Sequence, residues 1–340
     1  MLWIDYAIQN LLLLAFFHSV AFVALFTIYT NQYQKNNFML WIFCTIVASL
    51  SQVFRNLLQR KIDKNVDLLT ASWSRFIFIF PLALIFVIYT LQAGYHTNKF
   101  ILLSILAACL QITGNCLVVS LFRSGHFIIG MTFVKSEVVQ TVLIAHFVFG
   151  EYFGISKTMS VILASIGLLS LLDFKYSGGF KAIFNKQNTK LMATGLAAGL
   201  TFAVCGFVIR GSIEELKLAF VNRSIFASSM QSVLWMILLQ NVLFIIIKAF
   251  QGKLQYAVKE IYHYKSKFFV ISMLSFFGSV FWFLAFAMTS VTNVKLVGQI
   301  EMVFSFLLSH FLLKEKLYTR QKLGIVLVFT AVILCVSGSL

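Results

Sequence analysis

Proline and acidic residues are scarce in this chain: one proline and 11 Asp and Glu occur among 340 residues. Charged residues of both signs make up 11%, whereas 60% are hydrophobic, which is above the roughly 45–50% of a soluble globular domain. The composition therefore excludes an ordinary soluble protein. Apolar runs of about 18–24 residues recur, each long enough to cross a hydrocarbon core as a helix. These runs lack the alternation of barrel strands, so the sequence predicts an all-α polytopic membrane protein.

Motifs of common enzymes are also missing. The chain contains no HExxH, no Walker glycine loop and no GxSxG. The five cysteines fall within hydrophobic segments at no metal-ligand spacing. We therefore expect no enzyme activity, no cofactor and no metal site. The net charge of +16 comes from basic residues between the apolar runs, where they set membrane topology, so we expect no nucleic-acid partner.

Eleven apolar runs divide the chain. The run within residues 1–37 is predicted to be an extra N-terminal transmembrane helix. The other ten, called spans 1 to 10 here, are predicted at residues 38–58, 73–93, 99–121, 126–149, 155–173, 190–212, 226–249, 267–289, 291–313 and 321–339. A basic, glycine-containing linker at 174–189 separates a first unit, 38–173, from a second unit, 190–340.

The two units are related in sequence. Residues 133–153 align without a gap on residues 297–317. The identical pairs are Glu137/Glu301, Val139/Val303, Leu143/Leu307, His146/His310, Phe147/Phe311 and Glu151/Glu315. Because each unit has five helices, an odd number, the units must enter the membrane in opposite senses. The sequence thus predicts two inverted five-helix repeats, with a binding site near the bilayer midplane where they meet.

The distribution of basic residues predicts the orientation. Loops that follow odd-numbered spans hold about 18 Lys and Arg, against about 7 in the remaining loops and ends, and basic loops are cytoplasmic. We expect a cytoplasmic N-terminus and an external C-terminus. In the loop after span 7, Phe250, Leu254, Val258 and Ile261 share one face of a predicted amphipathic helix, which we expect to lie on the anionic inner membrane surface.

Two carboxylates within spans are the first candidates for a functional site. Glu137 and Glu301 lie about ten residues into spans 4 and 9, roughly 15 Å deep at 1.5 Å per residue. A charged acid at that depth costs about 2.5–3.5 kcal/mol on insertion scales. We expect the two acids to converge between the repeats. The alternative is a pair of buried structural carboxyls.

Further polar residues accompany the two acids. Lys135 lies on a different helix face from Glu137, where it either contacts an anion at the cavity edge or extends toward the membrane surface. Its repeat partner, Gln299, is uncharged. The predicted substrate- or proton-binding residues are Glu137, Glu301, Lys135, Gln140, Thr141, Gln299, Ser305, Gln111, Asn115 and Gln52. Trp73 and Arg75 are expected to anchor span 2 at the cytoplasmic boundary, with contact to an anionic solute as the alternative for Arg75.

The sequence resembles the drug/metabolite transporter superfamily, in its EamA-like branch, over about residues 38–338. The resemblance rests on the five-plus-five layout, on SRF at Ser74 to Phe76, on FGE at Phe149 to Glu151 and LKE at Leu313 to Glu315, and on GQIEMVF at Gly298 to Phe304. It implies solute transport by alternating access without ATP hydrolysis.

Two features depart from the family pattern. The family often has proline near the middle of the fourth helix of each repeat, where this chain has Val138 and Met302, which puts a helix break there in doubt. Ten-helix members usually keep both ends in the cytoplasm, whereas the charge count here inverts the core.

We therefore expect a secondary transporter of small organic solutes, such as amino acids, metabolites or drugs. Proton coupling, export and a location in a bacterial inner membrane are parts of this hypothesis, with solute, lipid and protons as its partners. A flippase for lipids or lipid-linked sugars is an alternative, and a membrane-embedded enzyme is an alternative of another class.

Overall fold

The computed structural model describes residues 40–62, 66–124, 132–170, 186–221, 223–313 and 319–338. Within these ranges the chain is built from helices and contains no strand. The extra helix predicted in residues 1–37 lies outside the described residues, as does most of the predicted linker.

The described residues form fourteen helices, including one 3-10 helix. In chain order they are α1 (Leu40–Arg60), α2 (Leu68–Trp73), a 3-10 helix (Ile77–Ile79), α3 (Phe80–Gln92), α4 (Asn98–Arg123), α5 (Glu137–Phe149), α6 (Ile155–Ser170), α7 (Lys186–Ala219), α8 (Ile225–Phe250), α9 (Leu254–His263), α10 (Lys265–Met288), α11 (Val291–Val297), α12 (Ile300–Leu313) and α13 (Thr319–Ser337).

Ten of the described segments are apolar enough to be membrane spans. Eight have the length and hydropathy to cross a bilayer, and Ile77–Gln92 and Ile155–Ser170 are shorter apolar helices. These segments correspond one to one with spans 1 to 10, which confirms the polytopic all-α class. Large apolar side chains such as Ile85 and Phe147 are 69% and 78% exposed, as expected for a surface that contacts lipid.

The packing of the spans follows the symmetry expected of two related units. Helix α1 packs along α10, and α4 packs along α7. In terms of spans, span 1 packs on span 8 and span 3 packs on span 6. Span 1 corresponds to span 6 and span 3 to span 8, so the two contacts are equivalent under the repeat. Spans 5 and 10 pack together, as do spans 2 and 7. This arrangement supports the predicted duplication, while the residue bounds of the two repeats stay a prediction.

Span 2 is interrupted, contrary to the continuous helix predicted from residue 73. A turn at residues 74–76 separates α2 from the 3-10 helix, and the only proline of the chain, Pro81, lies in the first turn of α3, where its missing N–H costs nothing. Neighbouring helices hold the turn in place. Ser272 Oγ donates to the Ser74 carbonyl at 2.7 Å, and Asn241 Nδ2 donates to the Phe76 carbonyl at 3.2 Å.

Spans 4 and 9 are interrupted at equivalent positions. The turn at 135–136 precedes α5, and the turn at 298–299 separates α11 from α12. In both, backbone N–H groups donate to the carbonyl three residues back: Ser136 to Phe133 at 3.2 Å, and Gln299 to Leu296 at 3.2 Å. The helices tighten locally without leaving these groups unpaired, so a break forms without proline.

The turn at 298–299 lies close to the side chain of Trp282. A Cβ atom at Gly298 would lie 2.6 Å from Cη2 of Trp282, which no real Cβ contact allows. Glycine therefore lets the turn approach the indole ring.

The predicted amphipathic helix is present as α9. Its residues Ala257 and Glu260 are buried against the bundle, whereas Phe250 and Val258 of the predicted apolar face are 90% and 55% exposed. Leu254 and Ile261 of the same face pack against the core, so only part of the face contacts protein. Its location on the membrane surface stays a prediction.

Candidate solute-binding site

A cavity of about 90 Å³ lies where spans 4 and 9 meet α1, α4, α7, α10 and the turn at 74–76. Both units therefore contribute to its wall. The ionisable side chains on this wall are Arg55, Arg75, Lys135, Glu137, Lys295 and Glu301. Four carry positive charge and two carry negative charge when all are ionised. An embedded group of ionisable residues of this size is a functional-site hypothesis in a membrane protein, because each charge is costly to bury.

The four charges on spans 4 and 9 form two crossed ion pairs. Lys135 Nζ, on span 4, lies 2.5 Å from Glu301 Oε2, on span 9. Lys295 Nζ, on span 9, lies 3.4 Å from Glu137 Oε2, on span 4. Each span thus supplies the acid for the lysine of the other. The two carboxylates sit in the first turns of α12 and α5, where the partial positive charge of a helix N-terminus also stabilises them.

The pair that contains Glu301 is tight and well satisfied. Both side chains are 4% exposed. Besides Lys135, the carboxylate accepts a hydrogen bond from Gln52 Nε2 at 2.9 Å and one from Asn56 Nδ2 at 3.3 Å, both on α1. Three donors therefore hold this carboxylate in one geometry, which repays part of the cost of burying the pair.

The pair that contains Glu137 is looser. Both of its side chains are 11% exposed, and the distance of 3.4 Å is long for a charged hydrogen bond. Lys295 Nζ also lies 5.6 Å from the ring centre of Trp282 and 5.8 Å from that of Phe286. These aromatic faces share the cation with Glu137. Trp282 in turn donates from Nε1 to Gln52 Oε1 at 3.2 Å, which links the two pairs through α1.

The two arginines on the wall have neutral partners only, within the part of the chain that the structure describes. Arg55 contacts the amide oxygen of Asn56 at 3.2 Å. Arg75 is 3% exposed and donates twice to Gln59 Oε1, at 2.8 and 2.6 Å, and once to Asn115 Oδ1. Neither guanidinium lies within 4 Å of a described carboxylate. The positive excess of the cavity is therefore located on these two groups.

Six of the ten predicted site residues line the cavity. They are Glu137, Glu301, Lys135, Gln111, Asn115 and Gln52. Lys135, for which an anion contact or extension toward the membrane surface was expected, is bonded to the carboxylate of Glu301.

The other four predicted residues bond to nearby backbone or side chains and are not on the cavity wall. Thr141 Oγ1 donates to the Glu137 carbonyl, and Ser305 Oγ donates to the Glu301 carbonyl. Gln299 Nε2 donates to the Lys295 carbonyl at 3.4 Å. Gln140 Nε2 donates to Ser136 Oγ and to the carbonyl of Leu196 on α7. These contacts are typical of helix packing.

Trp73 and Arg75 were expected to anchor span 2 at the membrane boundary, but both are buried within the bundle. Trp73 is 2% exposed, and its Nε1 donates to Asn241 Oδ1 at 2.7 Å. The expectation was wrong because the chain does not continue as a helix there. The turn at 74–76 directs Arg75 into the cavity, while its contact with an anionic solute, the alternative considered above, stays a prediction.

Two wall residues were missed by sequence reasoning. Arg55 lies within predicted span 1 but was not singled out, although it follows Gln52 by less than one turn of α1. Lys295 lies inside an apolar run, as Lys135 does, and that position was the available signal. Among the described residues, no group of three or more His, Cys, Asp and Glu could hold a metal ion.

A second ion pair network lies away from the cavity, at the loop between spans 1 and 2. Lys248, fully buried, lies 2.5 Å from Asp67 Oδ2, and Glu260 Oε1 on α9 accepts from the Asp67 N–H at 3.0 Å. Partial burial raises the pKa of the Asp67 carboxyl, but Lys248 and the N–H groups of Leu69 and Thr70 outweigh it and hold the pKa below its usual value.

Comparison with known proteins agrees with this architecture. Residues 189–337 match the model of the EamA-like transporter family. This range is an EamA-like transporter domain. It corresponds to spans 6 to 10, and the family consists of membrane transporters of small solutes.

One solved crystal structure has a similar fold over most of this chain. It has a TM-score of 0.59 and 12% sequence identity, and the match covers 86% of this chain and 95% of the other. At that identity the likeness shows the fold alone. None of the curated proteins matches the chain.

Proposed function

We propose that this EamA-like chain is a secondary transporter that moves a small organic solute by alternating access. The observation that carries the proposal is the pair of crossed ion bonds between spans 4 and 9, on the wall of one cavity. Interrupted helices that meet where two repeats join are the usual site of substrate binding in such transporters.

The ion pairs also suggest how the two units are coupled. Each pair bridges the units, so rocking one unit against the other stretches or exchanges both bonds. A buried pair that loses one partner leaves a charge that is costly to bury. A bound solute or a proton that replaces the lost partner lowers this cost, so loading of the site and movement of the units are linked.

Proton coupling is assigned to Glu137 in this proposal. Glu301 is held by three donors, whereas the only described side-chain partner of Glu137 within 3.5 Å is Lys295. A proton on Glu137 would release Lys295 to the solute or to the rings of Trp282 and Phe286. Export is the expected direction.

A flux assay in proteoliposomes tests the proposal. Vesicles are loaded with a defined mixture of amino acids, nucleosides, sugars and organic acids, and release of each compound is followed by mass spectrometry under an imposed pH gradient. We expect release of at least one compound above empty vesicles, with loss of its pH dependence in Glu137→Gln.

The matched control is Glu214→Gln, which removes a carboxylate that is 48% exposed on the surface of α7. It should behave as the unaltered protein. If protein-containing vesicles release nothing above empty ones, the transport proposal fails. If Glu137→Gln retains the full pH response, the assignment of the proton to Glu137 fails.

A further inference from the structure

The charge on the cavity wall has a consequence for the class of solute. Four cationic side chains face two carboxylates, an excess of two positive charges when all six are ionised. The lysines are each paired with a carboxylate, so the excess belongs to Arg55 and Arg75. Two guanidinium groups with no described carboxylate within 4 Å are costly to bury in a membrane bundle unless an anion joins them.

A donor without a partner accompanies the two arginines. Asn115 is 1% exposed, and its Nδ2 has no hydrogen-bond partner among the described residues, although its Oδ1 accepts from Arg75. Buried donors in native structures are nearly always paired with protein, water or ligand. This N–H group lies on the same wall as the guanidinium of Arg75, where a negatively charged oxygen would satisfy it.

We propose that the transported solute is a small organic anion, whose carboxylate or phosphate oxygens bind between Arg55 and Arg75 with Asn115 as a third donor. Planar guanidinium groups suit the paired oxygens of these anions. The remainder of the solute would lie against Phe283 and Phe286 on the same wall. An anion with two negative charges neutralises the excess fully. This inference rests on the proposed transport function and narrows its substrate class.

A binding experiment with pooled compounds tests for the anion. The full chain in detergent is heated with one of three defined pools at neutral pH: mono- and dicarboxylates with phosphorylated metabolites, zwitterionic amino acids, or amines with neutral nucleosides and sugars. We expect the acid pool to raise the unfolding temperature. The compound responsible is then resolved from single members of the pool.

Two variants locate the site. Arg55→Gln and Arg75→Gln each remove one charged hydrogen-bond donor, so we expect the affinity for the responsible acid to fall about tenfold or more. Arg55 is only partly buried, so we expect Arg55→Gln to fold and to test the site even if Arg75→Gln does not fold. Lys99→Gln, which removes a cation whose side chain is 68% exposed at the start of α4, is the control and should bind the acid as the unaltered protein does.

Three results would overturn the inference: stabilisation by the amino acid pool or the amine pool alone, no stabilisation by the acid pool, or equal affinity for the acid in Arg55→Gln. Flux distinguishes this failure from failure of the transport proposal. If proteoliposomes release only a neutral or zwitterionic compound, the transport proposal stands and the anionic substrate class is wrong. If they release no compound, the transport proposal itself is wrong.

Discussion

Spans 4 and 9 each carry a carboxylate at the same repeat position but differ in their basic residues. In span 4, Lys135 occupies the turn itself. In span 9 the corresponding residue is Gln299, and Lys295 lies about one helical turn earlier. The acids have therefore kept equivalent positions while the bases have not. The result is one tight ion pair, at 2.5 Å, and one loose pair, at 3.4 Å.

This difference suggests a division of labour within a nearly symmetric frame. A tight, fully satisfied pair fixes the contact between the two units, because separating it exposes two charges to a poorly hydrated interior. A loose pair that shares its cation with two aromatic rings is easier to exchange for a solute or a proton. Variants of each pair and of its surroundings test whether the pairs differ in this way.

The largest effect is expected from breaking the tight pair. Lys135→Met leaves Glu301 buried without its cation, so the free energy of unfolding should fall by about 3–5 kcal/mol. Lys295→Met should cost less, because Glu137 is more exposed and its bond is longer. Denaturant unfolding in detergent measures both. Equal losses for the two variants would contradict the difference between the pairs.

Adding a methyl group to the second break comes next. In Gly298→Ala the new Cβ would lie 2.6 Å from the Trp282 ring, and overpacking of this kind costs about 1–3 kcal/mol. Gly278→Ala is the control, because its nearest neighbour, Ser51 Cβ, would be at an ordinary 3.4 Å. Thermal unfolding compares them. If Gly298→Ala is as stable as Gly278→Ala, the close approach of this turn to Trp282 does not require glycine.

The ion pair of Lys248 and Asp67, which lies outside the cavity, provides a reference with a defined pH dependence. Its stabilisation is complete above the unfolded-state pKa, about 3.9, and is lost as the pH falls through the lower folded-state pKa of Asp67. Asp67→Asn should flatten that acid limb, at a cost of about 1–3 kcal/mol at neutral pH, because it leaves the buried Lys248 without its carboxylate.

Unfolding curves between neutral and acid pH measure this effect. An unchanged acid limb in Asp67→Asn would show that the loss of stability in acid does not arise from this ion pair.

The smallest effect is expected from the aromatic contact of the loose pair. Trp282→Phe keeps an aromatic face near Lys295 but removes the hydrogen bond to Gln52 and weakens the attraction to the cation by about 0.5–1 kcal/mol. We expect the KM for the transported compound to change severalfold with little loss of stability. An altered unfolding temperature with unchanged KM would indicate a packing role alone.

The sequence was sufficient to predict the helical class and the ten spans, because runs of apolar residues carry that signal directly. It also predicted the two acids of the cavity, since the alignment of residues 133–153 on 297–317 pairs Glu137 with Glu301. Four further predicted residues line the same wall: Lys135, Gln111, Asn115 and Gln52.

The remaining features depended on tertiary structure. A turn that neighbouring side chains stabilise left no periodic signal, so Arg75 was assigned to a boundary when it faces the cavity. The breaks in spans 4 and 9 arise from locally tightened hydrogen bonds without proline, and no motif marked them. The crossed pairing needed the relative placement of the two units. For Lys295, its position inside an apolar run was visible but was not used.

The central claim is that each acid is paired with the lysine of the other unit, and charge exchange tests it most directly. The measurement is the unfolding temperature of Lys135→Glu combined with Glu301→Lys, against Lys135→Glu combined with Glu137→Lys, with each single variant beside them. Both double variants have the net charge of the unaltered chain. We predict that the first combination regains most of the stability that its single variants lose, while the second does not. Equal recovery in both, or none in the first, would contradict the crossed pairing.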